Sequence, residues 1–114
     1  MREVRPDDAL LILTTVTGEE LARDVARLLV GERLAACVNL LAVQSVYRWK
    51  GKVEQADERL LVIKSSKERW PRLRARIAEL QDYEVPEIVS LSPSDVESTY
   101  LAWLIESCRP TPEG

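Results

Sequence analysis

Apolar and polar positions along this chain change period several times, and each change marks an element. Residues 9–16 form an apolar, β-branched run with few polar interruptions, the pattern of a central strand buried on at least one face. Leu21, Val25, Leu28 and Leu29 then fall at i, i+4, i+7 and i+8, which is one stripe of a helix. Thr17 and Glu20 precede that stripe at capping-box spacing, and the helix is expected to end near Arg33. Two long strand-like runs, 36–49 and 52–65, meet at Lys50-Gly51. A two-residue turn with glycine between such runs predicts a β-hairpin, with Trp49 opposite Lys52 and Tyr47 opposite Glu54. Alternation puts Tyr47 and Trp49 on one face and Arg48 on the other. Strands of this length are about twice the usual, so a bulge or bend is expected in them. They should also project past a small domain, leaving edges that need a cover. A second copy of the same chain is the simplest cover.

Trp70, Leu73, Ile77 and Leu80 recur at helical spacing. Pro71 belongs in the first turn of that helix, which places its cap near Glu68. After a turn at residues 82–86 comes a short strand, 87–91. Ser94 and Glu97 have capping-box spacing before a third helix at about 95–107, with Val96, Tyr100, Trp103 and Leu104 expected inward. The order is β-α-β-β-α-β plus a C-terminal helix. The fold class is therefore α+β, a ferredoxin-like split β-α-β with an antiparallel sheet and a long hairpin. The sheet face without helices would be bare in a single chain, which again predicts an oligomer.

With 114 residues, a single domain is expected over 1–114, its core at about 9–107. Charged residues are 31 % and apolar ones 46 %, a soluble globular composition. No apolar run reaches membrane-spanning length, and the first residues lack a signal peptide's charged-then-apolar order, so the expected location is cytoplasmic. The net charge of −3 disfavours nucleic acid as a partner. Histidine is absent, which excludes Ser-His-Asp and Cys-His nucleophilic systems and zinc sites that need imidazole. Cys37 and Cys108 form no Cys-x-x-Cys pair. No catalytic constellation is visible, and the chain is read as a non-enzyme.

Leu34-Ala35-Ala36-Cys37-Val38-Asn39, Ser45-Val46-Tyr47-Arg48-Trp49-Lys50-Gly51, Tyr83-Glu84-Val85-Pro86-Glu87-Ile88 and Tyr100-Leu101-Ala102-Trp103-Leu104 together resemble the CutA divalent-cation tolerance family, in its order and spacing. The resemblance covers about residues 10–107. It implies a homotrimer, similar in architecture to the PII signalling proteins, with a role in the response to metal ions. Copper, or another divalent cation, is the cofactor it implies. Copper-binding members carry His immediately before Pro-Tyr, where this chain has Gln81-Asp82-Tyr83. Some also carry Cys at the end of the first strand, where this chain has Thr14 or Thr15. The soft and imidazole ligands that copper prefers are missing there.

The candidate metal residues are Cys37 and Glu87. Cys37 reads either as a thiolate ligand, with its copies clustered about a threefold axis, or as a small buried hydrophobe. Cys108 reads as an incidental thiol at a frayed helix end. Trp49, Lys64, Gln81, Tyr83, Glu84 and Glu87 are the candidates for an inter-subunit cleft holding a metal ion or a small molecule. Alternative readings are a PII-like trimeric sensor that binds a small anionic metabolite between subunits, and a structural trimer that anchors a partner protein.

Overall fold

The structure is a computed structural model and describes residues 3–111. Four strands, β1 (Ala9–Val16), β2 (Cys37–Trp49), β3 (Lys52–Ser66) and β4 (Ile88–Leu91), form one sheet in the order β2-β3-β1-β4. Every neighbouring pair is antiparallel. Three helices, α1 (Glu19–Gly31), α2 (Trp70–Leu80) and α3 (Ser98–Ser107), complete the ferredoxin-like order expected from the sequence.

The hairpin is continuous. Its register runs from Cys37 opposite Lys64 to Trp49 opposite Lys52 without slipping a residue, so the expected bulge is absent. Two residues at the turn explain this: Lys50 (φ 50°) and Gly51 (φ 81°) both adopt positive φ, the type I′ geometry whose twist matches the flanking strands. Nothing crowds a Cβ placed at Gly51, so its requirement is purely conformational. Gly51→Ala is expected to cost about 1–2 kcal/mol, read as a lower urea midpoint. An unchanged midpoint would refute the assignment.

β1 stops pairing with β3 at Val16 opposite Arg59. Beyond that point residues 52–58 and their β2 partners form a two-stranded ribbon about 23 Å long at ~3.3 Å per residue. The ribbon accounts for the elongated outline of 52 × 32 × 21 Å. Val46 and Val53 on it are 66 % and 65 % exposed.

The main core lies between one sheet face and the helices α1 and α2. Leu10, Ile12 and Val16 of β1 and Leu61 and Ile63 of β3 meet Val25 and Leu29 of α1 and Leu73 and Ile77 of α2. In α1 the buried stripe is Ala22, Val25, Ala26 and Leu29, and Leu28 is exposed, contrary to expectation. The small alanines let the helix approach the sheet, which rotates the stripe. The Thr17–Glu20 capping box does not form either. Gly18 is the N-cap without a side-chain bond, because the Thr17 hydroxyl donates to Asp82 Oδ2 at 2.5 Å. At the other end Arg33 has φ 60°. Leu34 N–H bonds Leu29 O and Arg33 N–H bonds Val30 O, a Schellman ending.

The third helix begins at Ser98 rather than Asp95. Glu97 is its N-cap and accepts from Tyr100 N–H at 3.0 Å, so the Ser94–Glu97 box is replaced by a single long carboxylate cap. Hydrogen bonds from the Thr99 hydroxyl and the Tyr100 amide hold that carboxyl below its ordinary pKa. The buried residues are Leu101, Leu104 and Cys108, packed with Ala9 in a smaller second core. Tyr100 and Trp103, expected inward, are exposed and meet with tilted rings, centroids 5.4 Å apart. Small Ala9 and Ala36 accept branched aliphatic side chains at close range, so the aliphatic stripe of α3 wins the contact. Cys108 is not frayed: burial pushes its thiol pKa up.

Candidate functional site

Strand pairing arranges the second sheet face in rows. One row is Cys37, Lys64, Leu11 and Leu91, and the next is Asn39, Val62, Leu13 and Val89. Leu41 and Leu60 continue the face beside Thr15. The face is therefore largely aliphatic, and Leu41, Val89 and Leu91 are exposed. A contiguous apolar surface of this kind marks an interaction site.

Further along the same face, where the ribbon leaves the sheet, the loop at residues 82–87 turns over β1 and β3. It leaves a cleft of about 710 Å³. Three consecutive loop residues are tied to strands or to the turn that follows β1. Gln81 Nε2 donates to Thr14 Oγ1, Asp82 accepts from Thr17, and Tyr83 donates its hydroxyl proton to Glu58 Oε2 at 2.5 Å. Glu58 is only 8 % exposed. Burial, and then the Glu58 carboxylate, push the Tyr83 phenol pKa far above its ordinary value. The phenol thus remains a proton donor throughout the physiological range.

Of the expected cleft residues, Trp49, Tyr83, Glu84 and Glu87 line this cleft together. Gln81 does not: it caps α2 and bonds Thr14 on the helix side of the sheet. Its Oε1 is buried without a partner among the described residues. Lys64 lies in the row of Leu11 and Leu91, roughly 16 Å from Glu87 at ~3.3 Å per residue and ~4.8 Å per strand. Cys37 is one strand further still, about 20 Å from Glu87 by the same spacings. One chain therefore cannot bring Cys37 and Glu87 to one ion. Among the described residues no three of Cys, Asp and Glu converge as metal ligands, so the donors of a single chain do not fit a divalent cation.

Glu58 and Tyr47 belong to the cleft but were not anticipated as site residues. Nothing in the sequence singles out Glu58, which stands between Asp57 and Arg59 in a charged stretch of β3. Only the position of Tyr83 gives it meaning. Tyr83→Phe is expected to destabilise the fold by about 1–3 kcal/mol, the cost of an unsatisfied buried acceptor. The sign of the pH effect follows from the raised phenol. An unfolded tyrosine ionises near pH ~10, so the contribution of Tyr83 is full below that pH and is lost as the pH rises beyond it. The difference in urea midpoint between wild type and variant should be smaller at pH 11 than at pH 8. A constant difference would refute the linkage.

Residues 10–107 match the family model described as CutA1 divalent ion tolerance protein. The divalent-cation tolerance protein CutA of Thermus thermophilus is 45 % identical over 98 residues, covering 85 % of this chain and 95 % of that protein. A solved structure of the Thermus thermophilus protein superposes with a TM-score of 0.84 at 44 % identity, covering 87 % of this chain and 97 % of that one. A structure described as the periplasmic divalent cation tolerance protein CutA from Archaeoglobus fulgidus gives 0.86 at 28 % identity, covering 89 % and 99 %.

Proposed function

This chain belongs to the CutA1 divalent ion tolerance protein family, and from that premise we propose that it works as a homotrimer in the response to metal ions, by binding rather than by catalysis. The observation that carries the assembly is the aliphatic second sheet face, with Leu11, Leu13 and Val62 at its centre and the exposed ribbon beside it. A single chain leaves this surface in water. Copies of the chain cover it at no cost in new chemistry, and the number three comes from the family resemblance. The chain is taken as one domain with its core at about 9–107. Among the described residues no helix is long and apolar enough to cross a membrane. A cytoplasmic location agrees with two unpaired cysteines.

Copper binding rests on Cys37 alone. Its half-buried thiol lies on the face that the copies would share, so a thiolate site would form between chains. Native mass spectrometry of the reduced, metal-free protein tests both points. A species of three times 12.9 kDa is expected, and a monomer at micromolar concentration would sink the assembly. Uptake of Cu(I) that disappears in Cys37→Ser would support the thiolate site. A trimer that stays metal-free would detach copper from this protein.

A second reading, a PII-like trimeric sensor of a small anionic metabolite, draws its support from this cleft, which residues of one chain line. Its volume falls within the range of small-molecule sites, roughly 300–1,000 Å³.

A further inference from the structure

We propose that the cleft between the ribbon and the loop at residues 82–87 binds a small organic cation of the amine or quaternary ammonium class. The inference rests on reading that cleft as a binding site, and it replaces an anionic ligand with a cationic one.

Charge is the first reason. Glu58, Glu84 and Glu87 all line the cleft. Among the described residues none of the three is ion-paired. Glu58 is more than nine-tenths buried and has a neutral phenol, not a cation, as its partner. A buried carboxylate without a counter-charge is costly, and a cationic ligand offsets that cost. Among the described residues the cation that lines the cleft is Arg48, which alternates to the other face of the ribbon from Tyr47 and Trp49. Its Nη1 donates to Gly51 O at the turn, at 3.4 Å.

The rings are the second reason, and they separate an organic cation from a metal ion. Tyr47, Trp49 and Tyr83 line the same cleft, and the carboxylates do not converge as metal ligands. Aromatic faces attract alkylammonium groups within about 6 Å of the ring centroid. The Trp49 ring already does so, with the Lys50 ammonium 5.7 Å from its centroid. Carboxylates and rings interleaved in one lining, as where Tyr83 meets Glu58, form a surface suited to a positively charged nitrogen that carries hydrocarbon.

Calorimetric titration of the intact protein with spermidine and with choline tests this, with succinate as the anionic comparison and native mass spectrometry run in parallel. Saturable binding of at least one cation and none of succinate is expected. Glu58→Gln, whose amide oxygen still accepts from Tyr83, should weaken binding at least tenfold. Glu84→Gln/Glu87→Gln provides an independent pair of substitutions with the same expected direction, and Asp24→Asn on α1 should change nothing. Intact trimers that bind neither cation would overturn the proposal and leave the assembly standing. That result would also follow if a neighbouring copy fills the cleft. Binding that survives both sets of Glu substitutions would place the cation elsewhere and overturn it too. A monomer that binds with the expected dependence on Glu58 would uphold the cleft and remove the trimer.

Discussion

Leu13→Glu is expected to turn the assembled protein into single chains. Leu13 lies on the central strand β1, between Val62 of β3 and Val89 of β4. Its side chain points to the sheet face away from α1 and α2. In a folded single chain a glutamate there reaches water, so the fold itself should survive. In the assembly the same carboxylate would be buried without a partner in each copy. Removing one partner of a buried ion pair, the nearest measured analogue of an uncompensated buried charge, costs about 3–5 kcal/mol. That is roughly a hundredfold to several-thousandfold in association per contact, at 1.4 kcal/mol per factor of ten. Sedimentation at micromolar concentration should show the monomer mass with helical and sheet signals retained. A variant that still sediments as a trimer would mean that this face is not the interface.

Ile63→Ala should produce the largest loss of intrinsic fold stability. Ile63 is fully buried in the main core, paired with Ile12 on β1 and Val38 on β2. Truncation there removes buried methylene and methyl groups and leaves a cavity among side chains from β1, β3, α1 and α2. Isoleucine-to-alanine changes in cores cost about 2–5 kcal/mol, a large part of the roughly 5–15 kcal/mol that keeps a domain folded. Because oligomer stability depends on concentration, the comparison belongs at one fixed protein concentration. Thermal or urea unfolding should show an early transition, and a midpoint unchanged within error would contradict the core assignment. The two predictions separate cleanly: Leu13→Glu acts on association and Ile63→Ala on folding, although the residues lie on adjacent strands of one sheet.

Much of the fold was legible because the responsible interactions are short in sequence. β1 occupies the residues expected, and the hairpin register is that predicted from the Lys50-Gly51 turn. The spacing of apolar residues marks each helix but not which face it buries. Leu28, Tyr100 and Trp103 fall on the stripes that spacing turns inward, and all three are exposed. In both helices two apolar stripes compete, and the choice depends on what the opposing surface can accept. Capping was similarly divided. Thr17 has the right spacing for a box, but its hydroxyl donates instead to a distant acceptor, Asp82.

The candidate site divides along the same line. Trp49, Tyr83, Glu84 and Glu87 were anticipated and do gather in one cleft. Gln81 and Lys64 stand apart from it, and Glu58, the most buried carboxylate in it, was missed. Element types, hairpin register and the demand for a partner surface were thus determined by the sequence alone, because alternation, turn chemistry and uncovered strand faces are properties of neighbouring residues. Only the tertiary structure decided that Tyr83 reaches Glu58, 25 residues away in sequence, and that Cys37 and Glu87 lie too far apart within one chain to share an ion. Such meetings depend on strand order across the sheet and on how a loop crosses it, and neither is encoded in the spacing of residues along a single element.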